Sequence, residues 1–396
     1  MMNFPSSEDL DALWAHHHAE WRSPAQIASQ WQEAADTDPE LLRYRVEGAW
    51  WEALAACDIT LLVTREYEHL VMAMQVAEGR PRLSYFRLPH PSGLAIDHCQ
   101  GVIHIASTRN PNQVYDLRPI TTVLPRLDIN TQPLNQAPLV PVRSRFYPGC
   151  LYLHDLALID GQLYANAVGH NAIVRLHDDS TYERVWYPRC IETDSGPVFG
   201  QNHIQLNSIA AGSQLASSYF SASSDKISAR RPGHKNFPVD QRGVIFSGKT
   251  REPIVQGLTR PHSARLYQAR LWVDNSGYGE LGVVDGQFVP VVRLPGWTRG
   301  LWFYNHIAFV GTSRVIPRFR QYAPGLEVDS SLCGLHAVDT RSGKVMGSLI
   351  WPSGNQIFAI EGMSRQITAG FPFVLGDRGA LNRNKALFYT FSIEDS

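Results

Sequence analysis

Long apolar runs are missing from this chain. Nowhere in its 396 residues do about 18 consecutive apolar positions occur, and its start, Met1-Met2-Asn3-Phe4-Pro5-Ser6-Ser7-Glu8-Asp9, has no basic stretch leading into an apolar one. No membrane span and no secretion signal are expected, and the expected location is the cytoplasm. Cysteine is scarce too. Cys57, Cys99, Cys150, Cys190 and Cys333 are odd in number, scattered and free of C-x-x-C spacing, which excludes a disulfide framework and a thiolate zinc site. Charge of one sign is also lacking: 36 Lys and Arg stand against 37 Asp and Glu, so no net field draws the chain to nucleic acid or to an anionic membrane. There is no nucleophile elbow, no Gly-Lys-Ser/Thr phosphate loop, no dinucleotide fingerprint and no His-Glu-x-x-His. Serine hydrolase, kinase and nicotinamide dehydrogenase chemistry are accordingly disfavoured.

What the chain does have is repetition. PHSARLYQARLWVDNSGYGELGVVD, from Pro261 to Asp285, reads as three short strands joined by a tight turn at Tyr267-Gln268-Ala269 and a glycine-bearing turn at Asn275 to Gly279, which is an antiparallel meander. Its opening tetrapeptide recurs as Ser92-Gly93-Leu94-Ala95, His154-Asp155-Leu156-Ala157, Asn207-Ser208-Ile209-Ala210, His262-Ser263-Ala264-Arg265, Arg299-Gly300-Leu301-Trp302 and Glu361-Gly362-Met363-Ser364. The spacing is near the roughly 40 to 50 residues of a propeller blade once loop insertions are allowed. Strand, two-residue turn and strand follow at Ile159-Asp160-Gly161-Gln162 and Tyr304-Asn305-His306-Ile307, the first with type I′ chemistry. The expected fold is all-β, a six-bladed β-propeller over residues 57–396.

Residues 1–56 differ. Ser7 precedes Leu10, Leu13 and Trp14 at helical spacing, Pro24 opens a second helix through Ile27 and Trp31, and Asp38-Pro39 opens a third through Leu42, Val46 and Trp50. This predicts a helical N-terminal extension that docks on the propeller or forms a homodimer contact through its tryptophans. From Ile59 the chain turns to strands. That first sheet is expected to pair with Phe371 to Leu375 and Leu387 to Ser392, closing the ring and leaving no open edge.

The stretches PHSARL…RLWVDNSGYGELGVVD, LPGWTRGLWFYNHIAFVGTSR (Leu294 to Arg314) and CGLHAVDTRSGKV (Cys333 to Val345) resemble a bacterial family of propellers known only as a domain of unknown function. The resemblance runs from about Ile59 to Leu375. More distantly the chain is similar to the gluconolactonase, strictosidine synthase and streptogramin-lyase group of six-bladed propellers, which implies a metal ion in the central channel. The chain departs from the family pattern twice. Gln205 stands where a histidine is usual before the Leu-Asn pair, with His203 two residues earlier, and Ile357-Phe358-Ala359 replaces Ile-Phe-Asp.

Equivalent first positions of six repeats converge on the channel. They are Ser92, His154, Asn207, His262, Arg299 and Glu361. Three readings stay open. In the first, His154, His262, Asn207 and Glu361 hold a divalent zinc, iron, nickel or manganese ion, two imidazoles with an oxygen ligand suiting these better than calcium, while Arg299 anchors a substrate carboxylate. In the second, His154 or His262 is a metal-free acid or base, with Asp155 orienting an imidazole. In the third, these side chains only bond loop backbone. Arg314, Arg318 and Arg320 add a candidate anion wall. Two function classes follow: an enzyme (hydrolase, lyase or isomerase) acting on a small-molecule or peptide substrate at the channel mouth, or a recognition module that grips a partner with the N-terminal tryptophans and the basic loop Ser224 to Arg242.

Overall fold

Alternating apolar positions and turns that tolerate positive φ decide the local structure. Asp160 and Gly161 both have positive φ, at 51° and 68°, as a type I′ hairpin requires. The computed structural model describes residues 37–108, 112–124, 137–149, 151–228, 230, 232, 237–376, 378–387 and 390–392. The two helices expected before Asp38 and much of the basic loop (229, 231 and 233–236) lie outside these residues.

Six antiparallel sheets of at least four strands stand around one axis. Blades one to five span 91–147, 153–186, 206–258, 261–293 and 297–351. Their innermost strands are Pro91–Asp97, Leu153–Ile159, Leu206–Ala210, Pro261–Tyr267 and Trp297–Tyr304. Blade six takes Ile59–Arg65, Leu70–Ala77 and Arg80–Arg87 from the early chain and its innermost strand, Ile360–Ser364, from the late chain, with Ile59 opposite Ser364. The ring is thus sealed by pairing residues some 300 positions apart. The expected closing segments do less: Phe373–Val374 pairs only at the outer edge of this sheet, and Phe391–Ser392 pairs with Thr122–Val123 instead.

The helix expected from Asp38 through Trp50 is not formed as one piece. Pro39–Leu42 is a 3-10 turn capped by Asp38, Arg45–Gly48 is a strand on the outer edge of blade five, and only Trp50–Cys57 is helical. The spacing of Leu42, Val46 and Trp50 suits a helix, but backbone pairing with Gly347 to Ile350 outweighs it. Trp50 is fully buried against Phe309 at the junction of blades five and six, so this part of the extension is built into the propeller.

Interblade contacts are apolar in their bulk and stitched by short polar groups near the axis. The Ser92 hydroxyl donates to Leu153 O (2.8 Å), Asn166 Nδ2 to Leu206 O (2.7 Å), Asn207 Nδ2 to Pro261 O (2.9 Å) and Thr64 Oγ1 to Ser92 O (2.7 Å). The Ser263 hydroxyl accepts from Gly300 N (2.7 Å), and that of Ser313 donates to Ile357 O (3.0 Å). All six seams carry such a bond. Gly93 allows the close approach of blades one and two, because a Cβ there would meet Asp155 and Leu156 backbone atoms at 2.5–2.6 Å. Among the described residues no helix is long and apolar enough to cross a membrane.

Candidate active site at the channel mouth

One irregularity recurs in every one of blades one to five. The register between the innermost strand and its neighbour slips between Pro91 and Leu94, Leu153 and Leu156, Leu206 and Ser208, His262 and Arg265, and Thr298 and Leu301. Each slip is a β-bulge, which re-aims the side chains beside it. The polar residues at the head of the repeats sit on these bulges. In blade six, Phe358 N donates to Thr64 O and Thr64 N to Ala359 O, so Phe358-Ala359 occupies the bulge position. The sixth member of the ring is therefore Phe358, and Glu361 lies three residues deeper.

The structure brings His154, His262, Arg299 and Phe358 together. The two imidazole centroids are 6.3 Å apart, Phe358 lies 5.2 Å from His154 and 5.5 Å from His262, and the Arg299 guanidinium stacks 4.6 Å over its ring. Arg299 Nη2 donates to His262 Nε2 at 3.1 Å, which makes Nε2 the acceptor and leaves the proton on Nδ1, where it donates to Ser263 Oγ at 2.9 Å. Burial first, and then the positive charge of Arg299, hold the His262 pKa well below the usual imidazole value, so this ring is neutral. Behind it, directly opposite in the strand register, Asp274 is wholly buried near the Ser263 hydroxyl. Burial raises its carboxyl pKa far above the usual range although Ser263, Arg265 and Arg299 oppose this.

Ser92 and Asn207 do not reach the pocket. Both are consumed by the interblade bonds given above, Asn207 with a second bond to Ser223 Oγ at 3.2 Å. Asp155 does not orient an imidazole. It accepts from Ile209 N (3.0 Å) and from Arg265 (2.9 Å), and Arg265 also reaches Glu361 at 3.8 Å. Asp155, Arg265 and Glu361 form a second layer beneath the ring. Burial, with Asp155 adding to it, raises the Glu361 pKa to about 8, against the opposing pull of Arg265.

That shift carries a linkage consequence. The folded state holds the Glu361 proton up to about pH 8, whereas the unfolded chain releases it near 4.5. Folded protein therefore binds more protons between these values and loses stability as pH rises through them. Glu361→Gln removes this loss: its urea midpoint should gain on that of the parent between about pH 5 and pH 8 and the gap should then level off. A gap independent of pH would contradict the raised pKa.

A pocket of about 280 Å³ opens above the ring. Its ionisable lining includes Glu66, His154, Arg260 and Arg299, and its walls include Tyr67, Tyr152, Trp297, Phe319 and Tyr322. Arg260 was not apparent from the sequence, since it simply precedes Pro261 with no periodic signal. Its guanidinium lies 5.0 Å from the Trp297 ring and 4.9 Å from that of Tyr322, with no hydrogen bond or ion pair among the described residues. Burial, and then repulsion from Arg299, lower its pKa to about 10. Arg299 is lowered by burial too, with Glu66 opposing, and its buried Nε has no acceptor among the described residues. Both remain cationic at neutral pH. Glu66 itself accepts from Gln356 Nε2 at 2.8 Å. Two cations thus face one carboxylate in the pocket. Arg314, Arg318 and Arg320 do not line this pocket: Arg314 bonds Pro352 O, Arg318 lies over the Phe319 ring and Arg320 pairs with Asp329, while Phe319 and Tyr322 of that insertion line it.

The donor set does not fit a divalent metal. Asn207 is anchored through Nδ2 in the seam with blade four and does not line the pocket, Glu361 lies in the lower layer beside Arg265, and the Nε2 lone pair of His262 faces a guanidinium that would repel a cation. Among the described residues no three His, Cys, Asp or Glu side chains gather closely enough to hold one.

Residues 48–370 match a family model described as a domain of unknown function, DUF4915. No curated protein matches the chain. Solved structures with a similar fold include one from the crystal structure of a nidogen/laminin complex (TM-score 0.50, 10% identity, covering 78% of this chain and 99% of that one). Another is a protein of unknown function from Bacteroides caccae (TM-score 0.49, 11% identity, 77% and 99%), and a third is a gluconolactonase from Xanthomonas campestris (TM-score 0.41, 12% identity, 76% and 87%). At these identities the likeness is one of fold alone.

Proposed function

Because the chain belongs to the DUF4915 family, described as a domain of unknown function, we propose its role from the residues at the channel mouth: it is an enzyme that binds a small organic anion there and uses His154 as acid or base without a metal. The single observation that supports this is the convergence of two guanidinium groups, the buried Arg299 and the partly exposed Arg260, on one pocket where, among the described residues, Glu66 is the lining carboxylate. Withdrawing a cation from water without a carboxylate partner is unfavourable, a cost that a bound anion would offset. The aromatic walls suit an apolar or aromatic body behind a carboxylate or phosphate. The pocket volume limits that body to a small molecule. Neutral His262 holds Arg299 in place and does not itself titrate near pH 7. His154, on the pocket wall beside the anion site, is the group left to move a proton.

Calorimetric titration with paired small aromatic carboxylates and their amides tests this reading. The carboxylate of each pair should bind and its amide should not. His154→Ala should retain binding and lose turnover of any substrate found. Equal binding of acid and amide, or indifference of turnover to His154, would remove the proposal.

A further inference from the structure

A second cluster of charged side chains lies far out between blades one and two, where the remaining contact is apolar and built from residues such as Val114, Leu156 and Val174. The strand register sets His104, Asp116 and Arg143 side by side across blade one, each the direct partner of the next. Asp116 is 3% exposed and accepts from His104 Nδ1 (2.6 Å), Arg145 Nη2 (2.8 Å) and Arg143 Nε (2.7 Å). Burial alone would raise its pKa, but these bonds and charges hold it at about 2, a fixed anion that locks both guanidinium groups. In front of them opens a cleft of about 650 Å³.

One further contact marks what the cleft is shaped to hold. Asp178, on the turn of blade two, places Oδ1 at 3.1 Å from Arg143 Nη2 and 3.0 Å from Arg145 Nη1. A single oxygen is thus bound by two converging donors, the arrangement an oxyanion needs. The Asp178 side chain is 81% exposed, and an ion pair with so exposed a carboxylate contributes little. A dianion can displace it. The buried Nε of Arg145 has no acceptor among the described residues, and Arg118 adds a third guanidinium to the lining. Around this charged end lie Val102, Val142, Leu158 and Leu163.

We infer that this interblade cleft binds a phosphate monoester, its phosphate taking the place of the Asp178 carboxylate on Arg143 and Arg145 and its organic body lying against the apolar floor. The site is separate from the channel mouth and does not depend on the function proposed there.

Calorimetry with phenyl phosphate and with inorganic phosphate, at low salt and in an Arg299→Gln background that weakens the mouth, is the test. Phenyl phosphate should bind at least about tenfold more tightly than inorganic phosphate. Asp178→Asn, which removes the competing carboxylate, should tighten binding by about 3- to 10-fold, and Arg143→Gln, at a half-exposed position, should weaken it by about tenfold or more without unfolding the chain. No binding, equal affinity for the two probes, or an affinity indifferent to Asp178→Asn and Arg143→Gln would overturn the assignment.

Discussion

Replacing Arg260 and Arg299 together with glutamine should abolish anion binding at the channel mouth while leaving the fold as stable as before or more so. A hydrogen bond to a charged group is worth about 1.5–3 kcal/mol, so each arginine should account for roughly 10- to 100-fold in affinity, and the pair for at least about a hundredfold. The stability side has the opposite sign because, among the described residues, neither guanidinium forms an ion pair with a carboxylate. Arg260 lies against the Trp297 and Tyr322 rings, and Arg299 against Phe358 and the neutral His262. Losing these cation–π contacts is offset by relief of burial and of the mutual repulsion that depresses the Arg260 pKa. Calorimetric titration and thermal scans on the same samples would read both effects. A fall in melting temperature parallel to the fall in affinity would mean that the arginines brace the fold, and the ligand argument would lose its support. Binding groups held at a cost to stability are expected at a working site.

The second large effect concerns the layer below. Arg265 is 16% exposed and Asp155 5%, and this pair ties blade two to blade four while Asp155 also takes the Ile209 amide of blade three. Arg265→Met leaves a buried carboxylate without its cation and should cost about 3–5 kcal/mol in urea unfolding. Removing both charges, as in Asp155→Leu with Arg265→Met, should restore most of that loss, since it is the stranded charge rather than the lost attraction that destabilises. A single substitution costing under about 1 kcal/mol would show that water reaches the pair freely. The contrast with Arg260 and Arg299 is informative. Arg265 differs from Arg260 and Arg299 in that the protein supplies its counter-charge, and among these three only Arg260 and Arg299 line the pocket.

Much of this architecture was legible in the residues. Turn chemistry at Asp160-Gly161 and the meander from Pro261 to Asp285 located blades two and four, because hairpins are local and their residues must allow positive φ. The repeated tetrapeptide located the ring, and His154, His262 and Arg299 do meet. What could not be read depends on distant partners. Glu361 falls one layer too deep because the sixth bulge is set by pairing with Thr64, at the other end of the chain. Val46 is in a strand because Leu349 lies opposite it, which no local pattern reports. Ser92 and Asn207 have the polar character of site residues, and only the position of the neighbouring blade's carbonyl reveals them as stitches. Arg260 carries no repeat signal at all; it becomes a site residue through the rings of Trp297 and Tyr322.

Phe358 sits in the pore 2% exposed, with an imidazole on two sides and a guanidinium over its face. A stopper of that kind turns a tube into a cup. A small molecule that enters above it must depart by the same rim, so one occupant of the mouth bars the way to the next.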